Sequence, residues 1–273
     1  TTHVKRELAN TYELFPIPVA GVGLFMSDTV LACKAAGISK WPNGAKVTER
    51  QLFHLGGNAV NVTSYLAARL VSEGKIRWET TFFSLFPKLK DKVNPAYHAM
   101  TLKDLLSHRA RVRPYSTTAE LVAFPKLRGN DVQQRRKFVQ EVLNNPPGDT
   151  GLVYSNGGVA LAAIMLEMVS QKTYKDLLDK YLTKEFGVRA YMGWPNQFGE
   201  MQPWGHWMPN SKQVLFTPVS KAENASISTL FSPACHLSMT LRDMMRFYQV
   251  QLRGIQGKHP RIPKQTYELM HYG

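Results

Sequence analysis

A chain of 273 residues that is 44% hydrophobic can bury one large core or two lobes, and it contains no run near the roughly 18–20 apolar residues of a membrane-spanning helix, so no transmembrane segment is expected. Lys and Arg number 34 against 20 Asp and Glu, a net charge of +14 that would draw anionic partners such as a cell-wall polymer, anionic lipid or nucleic acid. No helix-turn-helix, zinc-finger or aromatic–basic pattern accompanies the charge, which sets specific nucleic-acid binding aside. The basic clusters at Arg109, Arg111 and Arg113, at Lys126 and Arg128, and at Arg135, Arg136 and Lys137 read as a solvated surface.

In chain order, Thr1–Glu7 has no apolar core of signal-peptide type, so the chain is either cytoplasmic or the mature form of an exported protein. Val19–Phe25 and Thr29–Ala35 read as two strands joined by a tight Ser27-Asp28 turn. A helix is predicted from Ala59 to Ser72, with Leu66, Leu70 and Val71 on one face and Gly74 as its stop signal. Further helical patterns fall at roughly 133–144, 157–170, 174–184 and 240–252. There are no internal repeats and no low-complexity linker. Cys33 and Cys235 do not make a disulfide framework and read as two buried or half-buried thiols, whose pairing needs coordinates to decide.

Six segments stand out in order. They are Phe53-His54-Leu55-Gly56-Gly57-Asn58-Ala59-Val60-Asn61-Val62-Thr63, Ala67–Trp78, Met100–His108, Pro147–Asn156 with its Tyr154-Ser155-Asn156 triplet, Gln202–His206 and Pro233–Asp243. Together they resemble the serine β-lactamase and penicillin-binding-protein family, in the branch of class C β-lactamases, DD-peptidases and related esterases. The resemblance spans roughly residues 15–270. It implies an α+β fold of the α/β-sandwich type in a single domain over 1–273. An antiparallel sheet from 15–50 and the carboxyl-terminal part would be flanked by helices, beside a helical lobe over roughly 55–250. In the family a third motif, Lys-Thr-Gly or His-x-Gly, lies on a late strand that pairs with the amino-terminal ones. No such strand is read in this chain, so the sheet is expected to be incomplete, or completed by another segment.

The same resemblance exposes two departures. Family members read Phe-x-x-Gly-Ser-x-x-Lys, with Ser as nucleophile and Lys as its base; this chain has Gly57 and Val60 at those places. Tyr154 and Asn156 keep their motif positions. Without a cationic neighbour, Tyr154 is expected to titrate near the ordinary phenol value of about 10. Ser72-Glu73-Gly74-Lys75 satisfies Ser-x-x-Lys literally, but it lies about 15 residues on, over ~20 Å along the same helix. Ser64 points to another face, and Ser155 reads as structural. His54, His98, His108, His206 and His236 lack metal-ligand spacing, so neither metal nor cofactor is expected.

The functional expectation is therefore a catalytically inactive relative acting as a binding or regulatory module. Gly57, Asn58, Tyr154 and Asn156 would hold a carboxylate or carbonyl ligand: a helix amino terminus favours such groups, and the lost side chains would enlarge the pocket. Two alternatives stand beside it: an active serine-type hydrolase with a displaced nucleophile, and a basic scaffold binding an anionic polymer. Family habit favours a periplasmic or secreted location.

Overall fold

A computed structural model describes residues 2–14, 17–208 and 216–272. All strand pairings in it are antiparallel and form three small sheets. The first is the expected hairpin, β1 (Val19–Phe25) and β2 (Val30–Gly37), with the turn closed by Met26 N–H donating to the Thr29 carbonyl at 2.8 Å. The second places β7 (Leu237–Thr240) between β3 (Leu52–His54) and β4 (Tyr191–Met192). The third pairs β5 (His206–Trp207) with β6 (Thr217–Pro218).

Among the described residues the hairpin strands pair only with each other. Gly21 and Gly23 face helix α6 (Leu241–Ile255) closely: a Cβ on either would stand 2.7 Å from Leu241 Cδ1 or 2.5 Å from Met245 Sδ. Leu241, Met245 and Cys33 thus form a small apolar cluster under one hairpin face. Leu24, Met26 and Leu31 are left exposed. Two His-x-Gly triplets do occur, and neither supplies a late strand. His54-Leu55-Gly56 leads out of β3, and His271-Tyr272 ends helix α7 (Lys264–Tyr272), with Gly273 outside the described residues.

The main core is helical. Helix α2 (Ala59–Ser72) buries Tyr65, Leu66, Ala67, Ala68 and Leu70. It ends where expected: Gly74 adopts φ +69°, Lys75 N–H reaches the Leu70 carbonyl, and Gly74 N–H reaches that of Val71. That pair of bonds defines a Schellman stop, which wants a residue free to turn left-handed. Helix α4 (Asn156–Ser170) is buried through Leu166, as an apolar helix at the centre of a core must be. Helix α3 (Asp131–Asn144) begins with an Asn130–Gln133 capping box and packs against α4.

Two local differences from the sequence reading follow. Helix α1 (Thr2–Leu14), to which the reading assigns no element, lies against β1 and β2. The 174–184 helix is α-helical in α5 (Tyr174–Leu178), widens into a π turn over Asp179–Thr183, and is α-helical again over Lys184–Phe186. Tyr181 and Leu182, both buried, lie within the wider turn. Cys33 and Cys235 are buried free thiols. No described helix is long and apolar enough to cross a membrane.

Candidate functional site

Strand β3 delivers the chain to the site. Its ladder with β7 pairs Leu52 with Thr240, Phe53 with Met239 and His54 with Ser238, and Leu55 N–H extends it to the Leu237 carbonyl at 2.8 Å. Gly56, at φ +53°, then turns the backbone left-handed into a short 3₁₀ turn (Gly56–Asn58) that runs into α2. Gly57 and Asn58 are exposed on this turn. Neither Leu55 nor Asn58 caps the helical start with its side chain, and the first turn of α2 has no acidic residue. Helical segments leave their first N–H groups without intrahelical acceptors, with a partial positive charge.

Tyr154 meets Gly57 from the other side. A Cβ built on Gly57 would stand 2.8 Å from the Tyr154 hydroxyl, closer than side chains pack. The vacancy expected from a missing side chain is therefore filled by the phenol, and the pocket is not enlarged at this point. The expected unperturbed Tyr154 is corrected as well: burial, and after it the neighbouring Cys235, push its pKa up from the usual phenol value. The phenol stays neutral at physiological pH.

The loop before α4 is clamped by residues 108–115. Ser155 N–H donates to His108 Nδ1 at 3.2 Å, which fixes the ring proton on Nε2, and Val153 N–H donates to the His108 carbonyl. Burial holds the pKa of His108 below the usual histidine value, in keeping with an imidazole that accepts at Nδ1. The His108 ring lies 4.5 Å from that of Tyr154. Ser155 Oγ donates to the Arg113 carbonyl and accepts from Gly158 N–H as the amino-terminal cap of α4. His108, Arg111 and Tyr115 all have positive φ, a left-handed backbone that costs non-glycine residues about 1–2 kcal/mol each. The clamping role of His108 is not written in its residue type; its position before the Arg-rich run is the one signal the sequence offers.

Asn156 differs from expectation. It is 3% exposed, its backbone N–H donates to the Pro114 carbonyl, and its Nδ2 donates to the Tyr115 carbonyl at 2.7 Å. Its amide donor is thus committed within the fold. The Oδ1 is buried with no partner, so the group left over is an acceptor. Val60 is half-buried on α2 and packs against the core.

Beneath the turn, His54 stacks on Trp194 with centroids 3.8 Å apart, and its Nε2 lies 3.2 Å from His236 Nδ1. Burial lowers these histidines to about 3 and about 4, so both are neutral. Cys235 beside them is pushed up to about 12 by burial and contacts the Phe231 carbonyl. A buried thiol at that value is a poor nucleophile. Ser72 and Lys75 stand at the far end of α2, where Lys75 Nζ lies 3.2 Å from Glu73 within a network that includes Tyr181. His98 and His206 lie elsewhere, bonded to the Lys90 carbonyl and the Trp41 amide. Among the described residues no group of three His, Cys, Asp or Glu is arranged to hold a metal ion.

A helix opening beside a three-stranded antiparallel sheet, with a Tyr-Ser-Asn segment across from its first turn, defines a β-lactamase/transpeptidase-like protein. The sequence model described as Beta-lactamase matches residues 16–272, and the chain belongs to the beta-lactamase family. It is similar to penicillin-binding protein 4 of Amycolatopsis lactamdurans, 26% identical over 66% of this chain and 46% of that protein. It is also similar to protein flp of Staphylococcus aureus strain COL, 22% identical over 62% of this chain and 33% of that one. These matches thus span less than half of either relative's length. Among solved structures, FmtA from Staphylococcus aureus superposes with a TM-score of 0.74 at 18% identity, covering 96% of this chain and 68% of that one. D-alanine carboxypeptidase AmpC from Burkholderia cenocepacia does so at 0.70 and 17%, covering 98% and 67%. At such identities the structures show the fold alone.

Proposed function

We propose that this chain is a catalytically silent member of the family, acting as a binding or regulatory module that holds a carboxylate or carbonyl group at the start of α2. One observation carries the reading: the Gly57 turn bears no side chain to acylate, and the space before it is taken by a neutral Tyr154 hydroxyl. Acyl transfer of the serine type needs a nucleophile and a base in hydrogen-bond reach. Val60 supplies neither. The nearby hydroxyl and thiol are occupied: Ser155 Oγ bonds to Arg113 and Gly158, and Cys235 is a buried neutral thiol. The Asn58 amide is closed onto the Leu55 carbonyl, so the Gly57 amide and the Tyr154 hydroxyl are the donors left for the carboxylate or carbonyl, while the buried Oδ1 of Asn156 is left as an acceptor only. An extracytoplasmic location is part of this reading and rests on the family resemblance.

The basic-scaffold alternative draws less support. Arg113 pairs with Glu120, Arg135 with Glu167, and Arg111 and Lys137 bond to backbone carbonyls, so much of the first and third clusters is used within the fold. The test is direct. Fluorescent penicillin and a fluorophosphonate should leave the protein unmodified by intact mass, while acetate and an acylated dipeptide should shift the Gly57 amide resonance. A stoichiometric adduct on any residue, abolished by prior denaturation, would overturn the reading.

A further inference from the structure

Helix α4 connects two places. Asn156 at its start is in the candidate cleft; Met168, twelve residues on and so roughly 18 Å along the axis, borders a separate groove. The groove encloses about 820 Å³ between α3, the last turns of α4 and the 85–92 segment. That volume is within the usual range for small-molecule sites, roughly 300–1,000 Å³. Its floor is apolar, made by Phe86, Leu89, Val139, Ile164 and Met168. Leu89, Val139 and Ile164 are buried, whereas Met168 is 41% and Val132 on the rim 76% exposed.

The rim is cationic. Lys88, Lys92, Arg136 and Lys172 all line the groove. Among the described residues none of the four makes an ion pair within 4.0 Å, although Lys172 adds to the lowering of the Asp176 pKa that the Thr173 hydrogen bonds dominate. Among the described residues the one acid lining the groove is Glu167, which is neutralised: Arg135 Nη2 donates to it at 2.7 Å, and Tyr174 N–H does so at 2.8 Å. An apolar trough whose Glu167 carboxylate is already paired, ringed by four cations, complements a molecule with a long apolar body and one anionic end. The geometry points to this groove as a binding site for a single-chain fatty acid, with the acyl chain on the Leu89–Ile164–Met168 floor and the carboxylate at Lys88, Lys92 and Arg136. The assignment is independent of the cleft at Gly57.

Calorimetric titration with monomeric hexadecanoate tests it. Saturable one-to-one binding is expected, weakening about fourfold for each methylene removed on going to dodecanoate. Hexadecanol, which lacks the charge, should bind at least tenfold more weakly. The variant Lys88→Glu/Lys92→Glu/Arg136→Glu changes only exposed side chains and should lose at least tenfold in affinity. Met168→Asp, half-exposed, should do the same by a different route and keeps the test decisive if the triple variant misfolds. Absence of saturable binding overturns the proposal. So does equal affinity for hexadecyltrimethylammonium, or binding that both variants leave intact. Adsorption to phosphatidylglycerol vesicles without uptake of monomeric hexadecanoate would assign the basic rim to membrane surfaces and also overturn it.

Discussion

The Tyr154 hydroxyl lies 2.8 Å from where a side chain on Gly57 would begin. The two residues come from the starts of two helices, α2 and α4, that pack against each other. Glycine at 57 and the inward phenol at 154 therefore specify one another. Gly57 is not in the left-handed region, so its backbone tolerates other residues and the phenol is what a substituent meets first.

Restoring a serine should accordingly strain the site before it equips it. Gly57→Ser is expected to cost about 1 kcal/mol, the low end for overpacking, because the obstacle is the tip of a half-exposed ring. In the Tyr154→Ala background the same change should cost nearly nothing, giving a coupling of roughly 0.5–1 kcal/mol in a urea double-mutant cycle. Adding Val60→Lys supplies a base but also places an ammonium among apolar neighbours. The Gly57→Ser/Val60→Lys protein should acylate with an activated ester only slowly, read as a mass adduct rather than turnover.

Acid should weaken the fold in a defined window. His54, His236 and His259 have folded values of about 3, about 4 and about 4, below the ordinary histidine value near 6.5. Below pH ~6.5 the unfolded chain takes up protons that the folded chain refuses, so stability is whole above that pH and falls as the solution is acidified. Each such histidine contributes a slope approaching ~1.4 kcal/mol per pH unit between about pH 6 and its folded value. Urea denaturation from pH 7.5 to 4.5 should show this decline. His54→Phe, which retains a ring against Trp194, should make it shallower.

Asn156 is expected to behave as a structural residue when removed. Asn156→Ala leaves the buried Tyr115 carbonyl without its donor and should destabilise by about 1–3 kcal/mol. Asn156→Asp keeps the size but sets a carboxylate against that carbonyl, and should be worse at neutral pH than at pH 4. A ligand that uses the Oδ1 would add a second readout: its affinity should drop in Asn156→Ala even after correction for the unfolded fraction.

Gly74→Ala isolates backbone strain. Nothing lies within 4 Å of a Cβ there, while φ is +69°, so the cost is conformational alone. Thermal and urea unfolding should report a loss of about 1 kcal/mol.

Sequence alone conveyed elements whose signals are local. The Val19–Phe25 strand, the Ala59–Ser72 helix and its Gly74 stop depend on periodicity and one turn residue, and they stand where those signals put them. Helix α1 was not legible, since Thr2–Leu14 has few apolar residues to set a period. The site was legible as a set of positions and not as an arrangement. Tyr154 closes on Gly57 from nearly a hundred residues away, and His54 meets His236 from 182 residues away. Asn156 turning its amide inward to Tyr115 depends on the left-handed backbone at 115, which no short-range pattern announces.

The left-handed trio at 108, 111 and 115 has an evolutionary and engineering consequence. Each residue accepts an awkward backbone in return for what its side chain or carbonyl does: His108 receives Ser155, the Arg111 side chain reaches the Gly148 carbonyl, and Tyr115 packs between Phe124 and Phe231. Glycine at any of the three would relax the chain and sever the tether in one step. A selection on stability alone, run over a library varied at these three codons, would thus weigh backbone ease against anchorage directly. Positions that drift to glycine are dispensable ties, and those that hold out mark the contacts by which this loop keeps the mouth of the cleft in shape.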